Sequence, residues 1–304
     1  MQNLLIDRPS EEEKFEIMKK MHYSFPESSS GRYSLPDLRP MDEVYSDFLK
    51  RGDSLIVLRS GEEIVGHVHS GPQIDERLAF GRSGHIYDLF VSDIYRRRGA
   101  GKLLLSASLE ELKRSSYLTV TANTYRLGAG WRLLKSDGFE EKKICFSVGR
   151  THHVADRRLE VMRGIREDLR SVFFEISSSP EVLRSQMSMT PSELFFTLNE
   201  TLDSGGRILI CRRDEKAVGI LIYSVFEDLM TYNLLGYIEL VFVMPHFRGK
   251  GVAKKLLSFA TNDLSGEGVD ETFFECVFDS DYQNWSKAVG MSEFSILLEK
   301  SLQQ

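Results

Sequence analysis

A block of residues recurs along this chain at a nearly constant offset, and that recurrence limits the possible folds more than any other feature. Leu55, Arg59, Val65 and Gly66 reappear as Ile208, Arg212, Val218 and Gly219, each 153 residues on. Val91, Arg96, Gly99, Leu104, Leu105 and Gly138 reappear as Val243, Arg248, Gly251, Leu256, Leu257 and Gly290, each 152 residues on. One residue of length difference accounts for both sets. A match that holds from a strand through a glycine turn and a helix to a distant glycine indicates duplication. The length of 304 residues agrees, because one hydrophobic core serves about 150 residues. The chain therefore reads as a first domain over 1–150, a linker over 151–156 and a second domain over 157–304. The join falls in the polar run Gly149 to Asp156, where apolar periodicity lapses.

Periodicity and punctuation predict the same series in each half. In the first, a strand at Leu4 to Asp7 precedes a helix opened by Ser10, with Glu13 three residues on as its capping-box partner. A helix over Met41 to Lys50 and strands Ser54 to Arg59, Glu63 to His69 and His85 to Val91 follow. Then come a helix over Gly99 to Arg114, strand Leu118 to Asn123, helix Gly130 to Ser136 and strand Phe139 to Val148. The second half gives strands Arg207 to Arg212, Ala217 to Val225 and Tyr237 to Val243, then helix Gly251 to Leu264. Strand Glu271 to Phe278, a short helix at Asn284 to Ala288 and strand Glu293 to Leu298 close it. This is a mixed α/β order without regular βαβ alternation.

Composition narrows the class. No apolar run approaches the roughly 20 residues of a membrane-spanning helix, and Met1 to Ser10 lacks a basic-then-apolar leader, so the chain reads as soluble and cytoplasmic. Three widely spaced cysteines, Cys145, Cys211 and Cys276, each in an apolar strand-like run, suit buried thiols in a reducing compartment. A net charge of -6 argues against nucleic acid as a partner and favours a cationic substrate. Oligomeric state leaves no trace in the sequence.

The strongest chemical signal occurs twice: a strand ending in valine, then Arg-x-x-Gly-x-Gly or Ala, then an amphipathic helix. The copies run from Phe90 and Val91 through Arg96, Arg97, Arg98, Gly99, Ala100, Gly101 and Lys102, and from Phe242 and Val243 through Arg248, Gly249, Lys250, Gly251, Val252, Ala253 and Lys254. Small residues let backbone approach a ligand, and the first helical turn offers unpaired N–H groups at its positive end. That is a seat for a pyrophosphate, with arginine and lysine adding charge. A Walker loop is excluded, because Arg96 and Leu103 stand where it needs Gly and Ser or Thr. Neither copy has the third glycine of a dinucleotide fingerprint.

Both segments resemble the acetyl-CoA-binding signature of the GNAT superfamily of acyl-CoA N-acyltransferases, and the element order extends the resemblance over nearly the whole of each half. Membership implies two tandem GNAT domains, each a mixed, mostly antiparallel sheet flanked by helices, whose fourth and fifth strands splay apart at a bulge. It implies that acetyl-CoA is the cofactor, with the pantetheine arm along the fourth strand and the pyrophosphate on the loop. Phe90, Val91, Arg96 to Lys102 and Asn123 then serve one coenzyme A, and Phe242, Val243 and Arg248 to Lys254 another. The acceptor is a primary amine of a small molecule or peptide.

Amide formation from a thioester needs a neutral amine, and so a base. Relatives carry a carboxylate on the fourth strand, a position that Glu239 resembles, and its apolar neighbours are expected to raise its pKa. Its counterpart is Tyr87, with Asp88 beside it expected on the opposite face by strand alternation. The family's acid tyrosine, four residues before Gly-Phe, is Leu134 in one half and Ser286 in the other, leaving Tyr125 or Tyr282 as substitutes. That departure motivates a rival reading, a non-catalytic acyl-CoA sensor or scaffold. A second rival is an aminoacyl-tRNA-dependent transferase, against which the acidic balance and the two intact loops speak. His67 and His69 share a strand face but lack a third metal ligand and read as core or rim. Phe173, Phe174, Phe195 and Phe196 read as ordinary core, His152 and His153 as linker, and Glu27 to Arg32 as a loop that in relatives shapes acceptor choice.

Overall fold

The computed structural model describes residues 4–28, 39–73, 83–149, 158–185, 189–228, 233–269 and 271–303. The proposed linker, with His152 and His153, and the loop from Ser29 onward lie outside them; Glu27 and Ser28 belong to the first helix. Two compact units divide the chain. Unit 1 runs to Lys142 and includes Ser295–Gln304, whereas unit 2 runs from Lys143 to Asp228 and from Asn233 to Phe294.

In the first repeat the chain forms β1 (Leu4–Asp7), α1 (Glu11–Ser28), α2 (Met41–Arg51), β2 (Ser54–Ser60), β3 (Glu63–Pro72) and β4 (Ser83–Val91). Then follow α3 (Ala100–Arg114), β5 (Thr119–Thr124), α4 (Ala129–Ser136) and β6 (Glu140–Ser147). The second repeat supplies β7 (Leu159–Gly164), α5 (Arg166–Ser177), α6 (Pro180–Ser185), α7 (Pro191–Asp203), β8 (Arg207–Arg213), β9 (Lys216–Glu227) and β10 (Leu234–Val243). It closes with α8 (Val252–Gly266), β11 (Glu271–Val277), α9 (Asp281–Ala288) and β12 (Ser292–Ser301).

Each unit has one strand from the other half of the sequence. Unit 1's sheet runs β1-β2-β3-β4-β5-β12, and unit 2's runs β7-β8-β9-β10-β11-β6. Ile296 to Ser301 pair antiparallel with Thr124 to Thr119, and Lys143 to Ser147 pair antiparallel with Val277 to Phe273. Among the described residues of these two sheets, β4 pairs parallel with β5 and β10 with β11, and the other pairs are antiparallel. A cut at the repeat boundary would take the last strand from each sheet.

Each sheet has helices on both faces. α8 buries Leu256, Leu257, Ala260 and Leu264 completely, at the spacing of one helical stripe, against Leu209, Leu221 and Val241. Each such leucine contributes about 1.5–3 kcal/mol. On the other face, Leu169 and Val172 of α5 and Leu194 and Leu198 of α7 cover Ile208, Ile220, Ile222, Leu240 and Phe242. In unit 1, Ile17 and Met18 of α1 and Phe48 of α2 cover Leu55 and Val57.

The repeated arginine of β2 and β8 has a structural role. Arg59 Nε donates to Asp7 of β1 at 2.8 Å and its Nη2 to Glu13 in the first turn of α1 at 2.7 Å, while Arg212 Nη2 donates to Asp168 in the first turn of α5 at 2.6 Å. The expected capping box forms, with Glu13 N–H donating to Ser10 Oγ at 3.2 Å and Ser10 N–H to Glu13 Oε2 at 2.8 Å.

Several expectations are corrected. Cys211 and Cys276 are buried, and burial pushes their thiols up to about 11 and about 12, but Cys145 is only partly buried. Phe173 and Phe195 meet edge to face at 4.8 Å, whereas Phe174 and Phe196 point outward, 78% and 63% exposed. Adjacent helical residues diverge by 100°, so one of each pair leaves the core. No helix among the described residues is long and apolar enough to cross a membrane.

Each exchanged strand is expected to be integral to the sheet that it joins. Leu298→Ala in β12 and Phe146→Ala in β6 each remove a side chain that is 0% exposed. Each should cost about 2–5 kcal/mol in urea unfolding. A change below about 1 kcal/mol in both would mean that neither strand is integral to the sheet that it joins.

Candidate active site

Both parallel strand pairs come apart at the same place. β4 and β5 pair from Ser83 with Thr119 to Ile86 with Ala122, and no further. β10 and β11 pair from Leu235 with Glu271 to Ile238 with Phe274. In each unit the next residue is a β-bulge: Tyr87 between His69/Asp88 and Ser70/Ile86, and Glu239 between Ile238 and Leu240. The extra residue bends the strand away from its parallel neighbour and opens a wedge between them.

The bulge also breaks side-chain alternation, which corrects the expectation that Tyr87 and Asp88 face opposite ways. The Tyr87 ring lies beside that of His69, centroids 4.9 Å apart, and Asp88 Oδ2 lies 2.8 Å from His67 Nε2, the two histidines sharing one face of β3. Glu239 and Leu240 behave alike: Glu239 Oε1 accepts from Ser224 Oγ at 2.7 Å, and Leu240 packs beside Ile222, two residues from Ser224 on the same strand.

Beyond the bulge, unit 2 contains a cavity of about 890 Å³ lined by Val241, Phe242 and Val243, the loop Phe247 to Lys254, and Tyr282, Trp285 and Val289 of and after α9. Tyr282 and Trp285 give it an aromatic wall, their rings 6.0 Å apart, and Phe274 packs against both at 5.9 and 5.7 Å. Tyr282 hydroxyl donates to the Val241 carbonyl at 2.7 Å, and burial raises its pKa. Tyr282 stands one helical turn before Ser286, whose buried Oγ has no partner among the described residues.

The loops match their expected form. Gly99 (φ 86°) and Gly251 (φ 81°) precede α3 and α8 in the left-handed conformation, which glycine adopts without strain. The first helical bonds run from Leu103 N–H to Gly99 C=O and from Lys255 N–H to Gly251 C=O, both 3.0 Å. The N–H groups of Ala100, Gly101 and Lys102, and of Val252, Ala253 and Lys254, are therefore unused by their helices. Gly249 is left-handed at φ 73°, as is Arg97, its counterpart, at φ 60°.

The motif arginines do something that the sequence did not suggest. Arg96 Nε donates to the Val91 carbonyl at 2.8 Å and Arg248 Nε to the Val243 carbonyl at 3.2 Å, tying each loop to the end of the strand before it. Arg96 Nη1 also pairs with Asp93 at 2.6 Å, and Arg248 Nη1 with Glu181 of α6 at 3.1 Å. Glu181 was not expected at the site, since α6 has no counterpart among the elements read from sequence. Of the remaining sequence candidates, Asn123 and Tyr125 are exposed, at the end of β5 and just past it. Phe90 is 44% exposed whereas Phe242 is 2% exposed. No group of three or more metal-ligating side chains occurs among the described residues.

Two units, each with a splayed parallel pair, a strand bulge and a glycine loop opening a helix, define a tandem acyltransferase architecture. The sequence model of the Acetyltransferase (GNAT) family matches residues 18–134 and again 165–285, so the chain belongs to that family, twice over. Among solved structures it is similar to a GCN5-related N-acetyltransferase from Sphaerobacter thermophilus, at 14% identity and TM-score 0.60, covering 99% of this chain and 96% of that one. It is also similar to a tandem GNAT protein of the clavulanic acid biosynthesis pathway, at 13% identity and TM-score 0.52, with 99% of both chains covered. A third is a glucosamine N-acetyltransferase region of a fungal multi-domain GH3 β-N-acetylglucosaminidase, at 16% identity and TM-score 0.54, covering 99% of this chain and 38% of that one. At such identities these show the fold. No curated protein matches the chain significantly.

The Glu181 contact makes a pH prediction. Hydrogen bonds from Ser179 hydroxyl and from backbone N–H, and then Arg248, hold the Glu181 carboxyl down at about 2, against 4.5 for a free glutamate. A depressed carboxyl contributes stability that is present above the unfolded pKa and lost as pH falls through the folded one, so the contact should persist at neutral pH and fail between about 4.5 and about 2. An NMR titration of Glu181 with its midpoint at the ordinary glutamate value would contradict this.

Proposed function

We propose that the protein is an acetyl-CoA-dependent N-acetyltransferase acting on a primary amine of a small molecule or peptide. The observation that carries this reading is the cavity of unit 2, about 890 Å³, which joins the unpaired end of β10 to the free N–H groups at the start of α8. A diphosphate is the natural occupant of those N–H groups, because they point at one spot and lie at the positive end of the helix macrodipole. Lys250 and Lys254 line the same cavity and add positive charge. The unpaired edge of β10 past Glu239 suits an amide-bearing arm such as pantetheine, and Tyr282 and Trp285 give it an apolar wall.

For the chemistry we assign Glu239 as the base of unit 2. It stands at the bulge where the wedge opens, half-buried, with one oxygen held by Ser224 hydroxyl. Proton removal there turns an ammonium into a nucleophile that attacks the thioester carbonyl. Ala100, Gly101 and Lys102 of unit 1 repeat the loop geometry and are assigned to a second coenzyme A.

Two substitutions test this. Gly251→Glu adds bulk and negative charge at the pyrophosphate seat and should remove the unit 2 component of acetyl-CoA binding in calorimetry, weakening it at least about 100-fold. A titration unchanged from the unsubstituted protein would remove the seat. Glu239→Gln should lower kcat by about 100-fold or more and leave acetyl-CoA affinity within about twofold. Full turnover in that variant would eliminate Glu239 as the base.

A further inference from the structure

Unit 1 differs from unit 2 where acid-base chemistry would occur. At its bulge stands Tyr87, not a carboxylate, and the phenol donates to the Pro72 carbonyl at 2.5 Å. Burial, and then the Asp53 carboxylate, raise its pKa, so it keeps its proton at neutral pH. A base for unit 1 must come from another residue. Three histidines share the face beneath α1 and α2, and two of them are committed to structure. His69 Nε2 lies 2.9 Å from Asp53, whose side chain is 0% exposed, and the rings of Phe48 and Tyr87 cover it at 5.1 and 4.9 Å. His85 has its Nδ1 on Thr121 hydroxyl at 2.8 Å, and burial, with a smaller contribution from His69, lowers its pKa to about 4.

The third histidine is itself buried, 9% exposed, but its partner reaches solvent. His67 Nε2 lies 2.8 Å from Asp88 Oδ2, and the Asp88 side chain is 41% exposed. The His67 ring stacks on Phe90 at 5.5 Å, Phe90 is itself 44% exposed, and the Arg96 guanidinium sits 6.0 Å from that ring. Phe90 and Val91 end the strand that leads into the unit 1 loop, so His67 borders the line from bulge to loop that a thioester arm would follow. A carboxylate can only accept, so in the neutral imidazole the proton toward Asp88 is on Nε2 and the lone pair is on Nδ1. The equivalent residues of unit 2 are Ile220, Leu240 and Phe242, 0%, 2% and 2% exposed beneath α5 and α7. Register pairs His67 with Phe90 and Ile220 with Phe242, so these positions correspond in space as well as in number.

We propose that His67, oriented by Asp88, is the proton acceptor of a second acyl-transfer centre, in unit 1, for a primary amine. The inference rests on the reading that the unit 1 loop seats acetyl-CoA. The neutral amine nitrogen attacks the thioester carbonyl, forming the N–C bond. The tetrahedral adduct gives an N–H proton to His67 Nδ1. The C–S bond then breaks, and the thiolate of coenzyme A leaves with the proton returned by the imidazolium, giving amide and free thiol.

The test uses the full chain carrying Gly251→Glu, so that turnover reports unit 1. Acetyl-CoA binding is followed by calorimetry, and thiol release is measured with a panel of primary amines. Adding His67→Ala should lower kcat about 100-fold or more, leave acetyl-CoA affinity within about twofold, and be rescued at least about tenfold by added imidazole, whereas His67→Gln, with no room for imidazole, is not rescued. Asp88→Asn, which keeps the shape of the pair, should lower kcat about tenfold or more. Undiminished kcat in His67→Ala, or a loss that imidazole does not reverse, overturns the proposal. If Gly251→Glu alone abolishes all acetyl-CoA binding, the unit 1 seat fails and the proposal falls with it. If acetyl-CoA binds but no amine in the panel releases thiol, the seat stands and the proposed centre does not.

Discussion

The parting of the parallel strand pair in each unit is the constraint on which the rest depends. Up to Ile238 the backbone of β10 is satisfied on both sides, by β9 and β11; beyond Glu239 it is satisfied by β9 alone. Buried N–H and C=O groups left without partners are costly, so the wedge calls for something to fill it. In unit 2 the phenol of Tyr282 meets part of that need at the Val241 carbonyl, and the cavity beside it provides room for a ligand to meet the remainder. The residue 152 before Tyr282 is Gly130, which has no side chain to do the same in unit 1. The bulge is thus the source of both the cleft and the placement of the residue beside it.

The exchange of β6 and β12 follows from the same geometry. A strand that pairs in parallel on one side has its other edge to cover, and a bare edge invites pairing with other chains. β5 is covered by β12 and β11 by β6, each coming from the distant half of the sequence. Each repeat therefore takes from the other the strand that completes its sheet.

Much of this was legible in residues with local consequences. Gly99 and Gly251 specify left-handed turns, the apolar stripe of Leu256, Leu257 and Leu264 specifies a buried helix, and Ser10 with Glu13 specifies a cap. Those signals lie within a few positions of one another. What stayed hidden depends on long-range pairing: Asp88 and His67 are 21 residues apart, Arg248 and Glu181 are 67 apart, and Lys143 meets Glu275 across 132. The bulges were expected only through family resemblance, since a one-residue insertion in a strand leaves the apolar pattern nearly unchanged. The motif arginines look like phosphate ligands in sequence because their charge is visible there and the Val91 and Val243 carbonyls that engage them are not.

The two repeats have kept their loops and diverged on the opposite face of the sheet. Unit 2 packs Ile220, Ile222, Leu240 and Phe242 under two helices, a burial worth about 1.5–3 kcal/mol per side chain. Unit 1 puts His67, His69 and Asp88 at the first three of those positions and adds a buried Asp53 whose Oδ1 has no partner among the described residues. An unsatisfied buried acceptor costs about 1–3 kcal/mol, and an apolar core is the cheaper solution that the same fold has already found in unit 2. The space is also reserved, since a Cβ at Gly71 would lie 2.3 Å from that oxygen. A fold that maintains polar groups where its own duplicate maintains aliphatic ones gives up stability there, and it does so on the face where Asp88 reaches solvent beside the buried His67 ring.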